Sequence, residues 1–165
     1  MQIRNASRED ADAVSALLGE LEFPSSPEEV RERLKAMSSA ALVAVANGKI
    51  VGLITTSVMS VLHRPKPVGR ISALVVSSSE RGNGVGRALV VAAETMLERA
   101  GCGLVEVTSN FRLESAHLFY KSIGYEATSF RFKRDFGKAQ PAVAADGHAP
   151  GCSSVGKSSL WHGRG

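Results

Sequence analysis

The chain has 165 residues, 44% of them hydrophobic, and a formal net charge of +4 at pH 7; that suits one domain with a genuine core. Beyond Gly137, Lys138, Lys157 and Arg164 stand against Asp146, so this end supplies half the excess charge and the rest is only slightly basic. With 5% aromatic residues and no basic stripe interleaved with aromatics, nucleic-acid binding is not expected.

Cys102 and Cys152 form no C-x-x-C pair, which favours a reducing cytosol over a disulfide scaffold. The first ten residues, MQIRNASRED, turn polar at once and lack the apolar centre of a signal peptide. No apolar run reaches the roughly 18 residues of a membrane span. A soluble cytoplasmic protein without a membrane partner is the expectation.

In chain order, residues 2–5 read as a short strand, and Ser7 with Asp10 reads as a capping box that uses aspartate. The next helix carries Ala11, Val14, Leu17, Leu18 and Leu21 on one face and ends before Pro24. Ser26-Pro27-Glu28-Glu29 opens a second helix, with an N-cap, a first-turn proline and two acids; Val30, Leu34 and Met37 form its apolar side. Residues 41–46 and 49–59 flank Asn47-Gly48, a strong hairpin signal. The segment from His63 to Pro67 is a loop punctuated by two prolines.

Residues 71–76 then read as a strand buried on both faces. Arg81-Gly82-Asn83-Gly84-Val85-Gly86 turns the chain into a helix whose apolar stripe is Val85, Leu89, Ala92, Met96 and Ala100, capped by Gly101. Glycines at 82, 84 and 86 let successive amides converge on one point at a helix N-terminus, where they lack intrahelical acceptors. Arg81 and Arg87 flank that turn and can add charge-assisted bonds to phosphate oxygens. The spacing is not the dinucleotide fingerprint, because Arg87 stands where G-x-G-x-x-G needs glycine or alanine.

Residues 104–108 form another strand, with Glu106 in an apolar run and Asn110 at its end. A helix with Leu113, Ala116, Tyr120 and Ile123 on one stripe follows, capped by Gly124. Residues 125–130 and 131–136 read as two final strands. From Gly137 the composition shifts to Ala, Gly, Ser and Pro, so residues 1–136 are the expected domain and 137–165 a disordered tail. The tail holds a Walker A match, Gly151 to Ser158, but without the buried strand and following helix that a phosphate loop requires. Coincidence is the simpler reading. His63, His117, His148 and His162 have no i,i+4 partner and no clustered carboxylate, so no metal site is expected.

The turn Arg81 to Gly86 resembles the R/Q-x-x-G-x-G/A signature of the GCN5-related N-acetyltransferases, the GNAT family. Asn110, followed by Ala116-His117-Leu118-Phe119-Tyr120-Lys121-Ser122-Ile123-Gly124-Tyr125, resembles the family's fifth-strand asparagine and its A-x-x-x-Y-x-x-x-G-F/Y helix. The resemblance covers residues 1–136. It implies a mixed, mostly antiparallel sheet of six to seven strands with one splayed parallel pair, flanked by about four helices. It also implies acetyl-CoA as co-substrate, with the backbone of Leu74, Val75 and Val76 meeting the pantetheine arm. The amides of Arg81, Gly82, Asn83, Gly84, Val85, Gly86 and Arg87 would meet the pyrophosphate, and Asn110 the arm or the acceptor. Tyr120 would be the general acid for the leaving thiolate.

The base is open at this stage. Family members often carry a glutamate on the strand before the turn, where Ser72 and Ala73 stand here, leaving Glu106, His63 or an ordered water. The activity expected is acetyl transfer to a primary amine of a small metabolite, an aminoglycoside-like molecule, a polyamine or a peptide. The alternative is a module that binds acyl-CoA without chemistry. Relatives often pair through their last strands, so a homodimer is a further expectation.

Overall fold

A computed structural model of the chain describes residues 1–36 and 40–136. Met37, expected on the apolar side of the second helix, and the Walker A match both lie outside the described residues. Contacts divide the chain into Met1–Ser129 and Phe130–Gly165, and every helix and strand among the described residues lies in the first unit.

Five strands form one sheet in sequence order: β1 (Gln2–Asn5), β2 (Ala41–Ala46), β3 (Lys49–Met59), β4 (Val68–Val76) and β5 (Leu104–Val107). The first three junctions are antiparallel, and β4 with β5 is parallel. The crossover between that pair is α3 (Val85–Arg99), a connection that parallel strands require. Helices α1 (Ala11–Glu20) and α2 (Pro27–Ala36) join β1 to β2, and α4 (Glu114–Ser122) follows β5.

Local chemistry accounts for most of these elements. Asn47 and Gly48 both take positive φ, 51° and 74°, as a type I′ hairpin demands. At the start of α2, Glu29 N–H donates to Ser26 Oγ at 3.3 Å and Ser26 N–H to Glu29 Oε2 at 2.9 Å, a reciprocal capping box. The Ser7–Asp10 pair opens a 3-10 turn (Arg8–Asp10) that runs into α1. Asp10 accepts the Ser7 amide at 2.7 Å and both ends of the Arg4 guanidinium at 2.6 and 2.8 Å.

Two cores lie on opposite faces of the sheet. Val14, Leu17, Val30 and Leu34 of α1 and α2 pack on Ala41, Val43, Leu53 and Val75. On the other face Val85, Leu89, Val90 and Ala93 of α3 pack on Leu42, Ile54 and Ile71. The buried stripe of α3 is therefore Val85, Leu89, Ala93 and Leu97, one notch round from the stripe expected. Ala92 and Met96 flank it, and Ala100 is exposed. The glycines of the sheet set this seat: a Cβ on Gly69 would lie 2.8 Å from Leu97 Cδ1, and one on Gly52 2.9 Å from Leu89 Cδ1.

Among the described residues the sheet has five strands rather than six or seven, because residues 125–136 form none. Alternating aromatics at 130 and 132 suit a strand, but a strand also needs a neighbour to satisfy its ladder. Phe130, Phe132 and Phe136 are instead almost fully exposed.

Candidate active site

The register locates a gap in the sheet. Parallel pairing of β4 with β5 runs from Val68↔Leu104 to Ile71↔Val107 and stops, while β4 continues to Val76. Ser77 N–H donates to Val51 O on β3 at 2.9 Å, so the Val76 carbonyl just before it points the other way, into the gap. By strand alternation the Leu74 amide and carbonyl share that direction. Val75 does not. Its carbonyl lies 3.2 Å from the position of a Cβ on Gly52, so its backbone faces β3 and its side chain is buried. Of the three residues expected along an extended ligand, Leu74 and Val76 thus present polar backbone to the gap.

A bulge opposite Thr55 and Thr56 interrupts the upper part of β4. Thr55 pairs with Ala73 and Thr56 with Ile71, leaving Ser72 as the extra residue. The bulge reverses the alternation, which is why Ile71 and Leu74, three apart, both turn to the α3 face.

Residues 81–87 join the end of β4 to α3. Gly82 and Gly84 hold φ of 83° and 78°, Gly84 being the N-cap of α3; left-handed residues alternating with ordinary ones turn successive amides inward. The first bond of the helix is Ala88 N–H to Gly84 O at 3.0 Å. Among the described residues, the amides of 82–87 donate to no protein acceptor. That donor set, at the positive end of α3, fits the diphosphate of a CoA thioester.

The flanking arginines are committed to protein. Arg81 Nε donates to Val76 O at 3.1 Å and its Nη2 to Glu20 Oε2 at 3.1 Å. Arg87 Nη2 donates to Ser122 O at 3.2 Å, tying α3 to α4. Gly86 permits that approach, since its Cβ position lies 3.4 Å from Phe119 Cζ. Asn110 makes a local turn: its Oδ1 accepts the Arg112 amide at 3.0 Å and its carbonyl the Leu113 amide at 2.9 Å.

On α4, Phe119 rather than Leu113 packs towards the core, and Leu113 is half exposed. Tyr120 sits edge-on to Phe119, with centroids 5.2 Å apart, and tilted against Tyr125 at 5.6 Å. Burial pushes the Tyr120 phenol above its ordinary pKa of 10.0, so it keeps its proton at neutral pH. Tyr125 is raised much further, by burial and by the 2.9 Å hydrogen bond that it donates to Glu94.

Glu106 lies beside Arg70 across the parallel pair. Arg70 Nε donates to Glu106 Oε1 at 2.8 Å and Nη2 to the same oxygen. Arg70 precedes Ile71, which faces α3, so alternation puts the pair on the opposite face, where both side chains are 40% exposed. Next to it, Thr55 and Ser72 share a hydroxyl hydrogen bond of 2.8 Å. His63 is an exposed loop residue. The Arg70 partnership escaped sequence reading, since nothing in the spacing of residues 36 apart announces it. Among the described residues no group of three or more His, Cys, Asp or Glu side chains converges, and no helix is long and apolar enough to cross a membrane.

A mixed sheet has a parallel pair that parts beside an amide-lined turn opening α3, and this arrangement fits the fold of a known family. A family model described as an acetyltransferase (GNAT) domain matches residues 10–142. An aminoalkylphosphonate N-acetyltransferase of Salmonella typhimurium is 32% identical over 138 residues, covering 81% of this chain and 90% of the relative. Among solved structures, an acetyltransferase of Trypanosoma brucei superposes with a TM-score of 0.70 at 26% identity, over 82% of this chain and 99% of its own. An aminoglycoside N-acetyltransferase in complex with CoA gives 0.72 at 19% identity, over 82% and 94%. The chain belongs to the GNAT acetyltransferase family, and as a member it is an N-acetyltransferase.

Proposed function

We propose that this enzyme transfers the acetyl group of acetyl-CoA to the primary amine of a small acceptor by direct attack within a ternary complex. The observation that carries this reading is the row of unspent amides at 82–87, continuous with the polar backbone of Leu74 and Val76 in the gap. Acetyl-CoA supplies a thioester: the amine nitrogen bonds to its acyl carbon, the carbon–sulfur bond breaks, and sulfur leaves with the electron pair.

The chain's own groups then manage position and protons. The loop amides and the β4 backbone hold the cofactor in line, and holding both reactants in one cleft supplies much of the rate. Tyr120, a phenol that burial raises further above its ordinary pKa, gives its proton to the departing sulfur. Glu106 Oε2, left free while Arg70 occupies Oε1, takes the proton of the attacking amine directly or through water. Asn110 retains its Nδ2 group for the cofactor arm or the acceptor.

Two acceptor classes are suggested by relatives, aminoalkylphosphonates and aminoglycosides, and they differ sharply in charge. The test is an amine panel incubated with acetyl-CoA and the enzyme, with thiol release followed and products weighed by mass spectrometry. Acetylated product supports the reading. CoA binding without turnover on any amine would instead mark a module that binds acyl-CoA without chemistry.

A further inference from the structure

We infer that Arg70 selects acceptors that carry an anionic group beside their amine, and that it does so together with Glu106 at the closed end of the gap. This rests on the acetyl-transfer reading above. An arm lying in the gap from the loop end reaches its limit where β4 and β5 rejoin, at Ile71 and Val107. Arg70 and Glu106 are the next pair in register, so an acyl group at the tip of that arm stands beside them.

The ion pair is one-sided. Both donated bonds from Arg70 go to Glu106 Oε1, which leaves Arg70 Nη1 and Glu106 Oε2 without a protein hydrogen bond among the described residues. A guanidinium edge and a carboxylate oxygen, side by side on partly exposed side chains, match a zwitterion. The carboxylate oxygen meets the amine, and the guanidinium meets the acid group with charge-assisted bonds. Ser57 pairs with Arg70 in the β3–β4 register, and Ser72 lies one step along with its Thr55 partner. The Ser57 hydroxyl adds a donor suited to a tetrahedral anion, whereas Ser72 Oγ is bonded to Thr55. Among the described residues of this row Glu106 is the one carboxylate, so a polycationic acceptor would set its further ammonium groups against Arg70.

The experiment compares 2-aminoethylphosphonate with ethanolamine, an analogue that lacks the anionic group, on the full chain. The expected wild-type result is a kcat/KM at least 30-fold higher for the phosphonate, carried mainly by KM. Arg70→Gln should collapse that ratio at least tenfold, and Arg70→Lys should restore part of it. Calorimetric titration of 2-aminoethylphosphonate into the CoA-loaded protein should show the same order of affinities. Thermal melting and CoA affinity report whether each variant is folded; if Arg70→Gln is not, the wild-type ratio and Arg70→Lys decide. Equal use of the two amines, or an unchanged ratio in a folded Arg70→Gln, would overturn the assignment while leaving acetyl transfer intact. No turnover on either amine or on the wider panel would instead remove the acetyl-transfer reading, and this inference with it.

Discussion

Arg81 Nε donates to the carbonyl oxygen of Val76 at 3.1 Å, so the turn is pinned to the last residue of the strand that precedes it. Val76 O points into the gap that β5 vacates, where no neighbouring strand can satisfy it. Through Nη2 the same side chain reaches Glu20, whose carboxylate also accepts the Ser78 amide at 2.9 Å. Arg81, expected beside the phosphate, is thereby bonded to both Val76 and Glu20. Arg81→Leu keeps the aliphatic stem and removes these bonds. CoA affinity should fall about tenfold, the equivalent of one charge-assisted hydrogen bond, with little change in melting temperature. Titration calorimetry measures it; unchanged affinity would show that the guanidinium does not organise the turn.

Burial raises the Tyr120 phenol above its ordinary pKa, while its neighbour Tyr125 is fastened to Glu94. Tyr120→Phe should keep CoA affinity and lower kcat by about 10²-fold, as expected for loss of a general acid. Steady-state kinetics beside a CoA titration separates the two effects. A kcat near that of the wild type would reduce Tyr120 to a packing residue.

Asp10 predicts how stability responds to acid. Its hydrogen bonds from Arg4, chiefly, hold its carboxyl below the ordinary value of 3.8. A group depressed on folding stabilises the protein above its unfolded pKa and loses that contribution as pH falls through the folded one. Stability should therefore be level near neutrality and decline below about pH 4. Asp10→Ala strands Arg4 and the Ser7 amide and should cost about 1–3 kcal/mol at pH 7. Because the variant lacks the titrating group, its deficit should shrink in acid. Urea melts at pH 7 and pH 3 give both numbers.

Gly69 is where α3 comes closest to the sheet. A Cβ there would lie 2.8 Å from Leu97 Cδ1 and 3.1 Å from Leu97 Cγ, well inside contact distance. Gly69→Ala should cost about 1–3 kcal/mol through overpacking, read as a lower thermal midpoint. An unshifted midpoint would mean that α3 slides along the sheet without penalty.

Short-range chemistry made much of this molecule legible before any fold was known. Asn47-Gly48, the Ser26–Glu29 box and the glycine-rich turn each encode their conformation within a few residues. Three features needed the assembled sheet. Arg70 meets Glu106 only because a crossover helix sets the β4–β5 register, and no local pattern reports that pairing. Ser72 becomes a bulge residue because β3 opposes it with one residue fewer. The stripe of α3 lies one notch from the expected one because apolar residues on adjacent faces are equivalent until Gly52 and Gly69 choose between them. Residues 125–136 show the converse: their strand-forming side chains carry no strand.

The direct test of the anion site is CoA affinity in Gly84→Val, measured beside Gly48→Val. Both glycines sit at positive φ, 78° and 74°, with nothing within 4 Å of a Cβ, so each valine imposes a similar backbone strain of about 1–2 kcal/mol. Only residue 84 caps α3 and aims its first amides. Gly84→Val should weaken CoA binding at least tenfold while Gly48→Val leaves it near the wild-type value. CoA affinity within twofold of wild type in a folded Gly84→Val protein would contradict a cofactor seated on those peptide nitrogens.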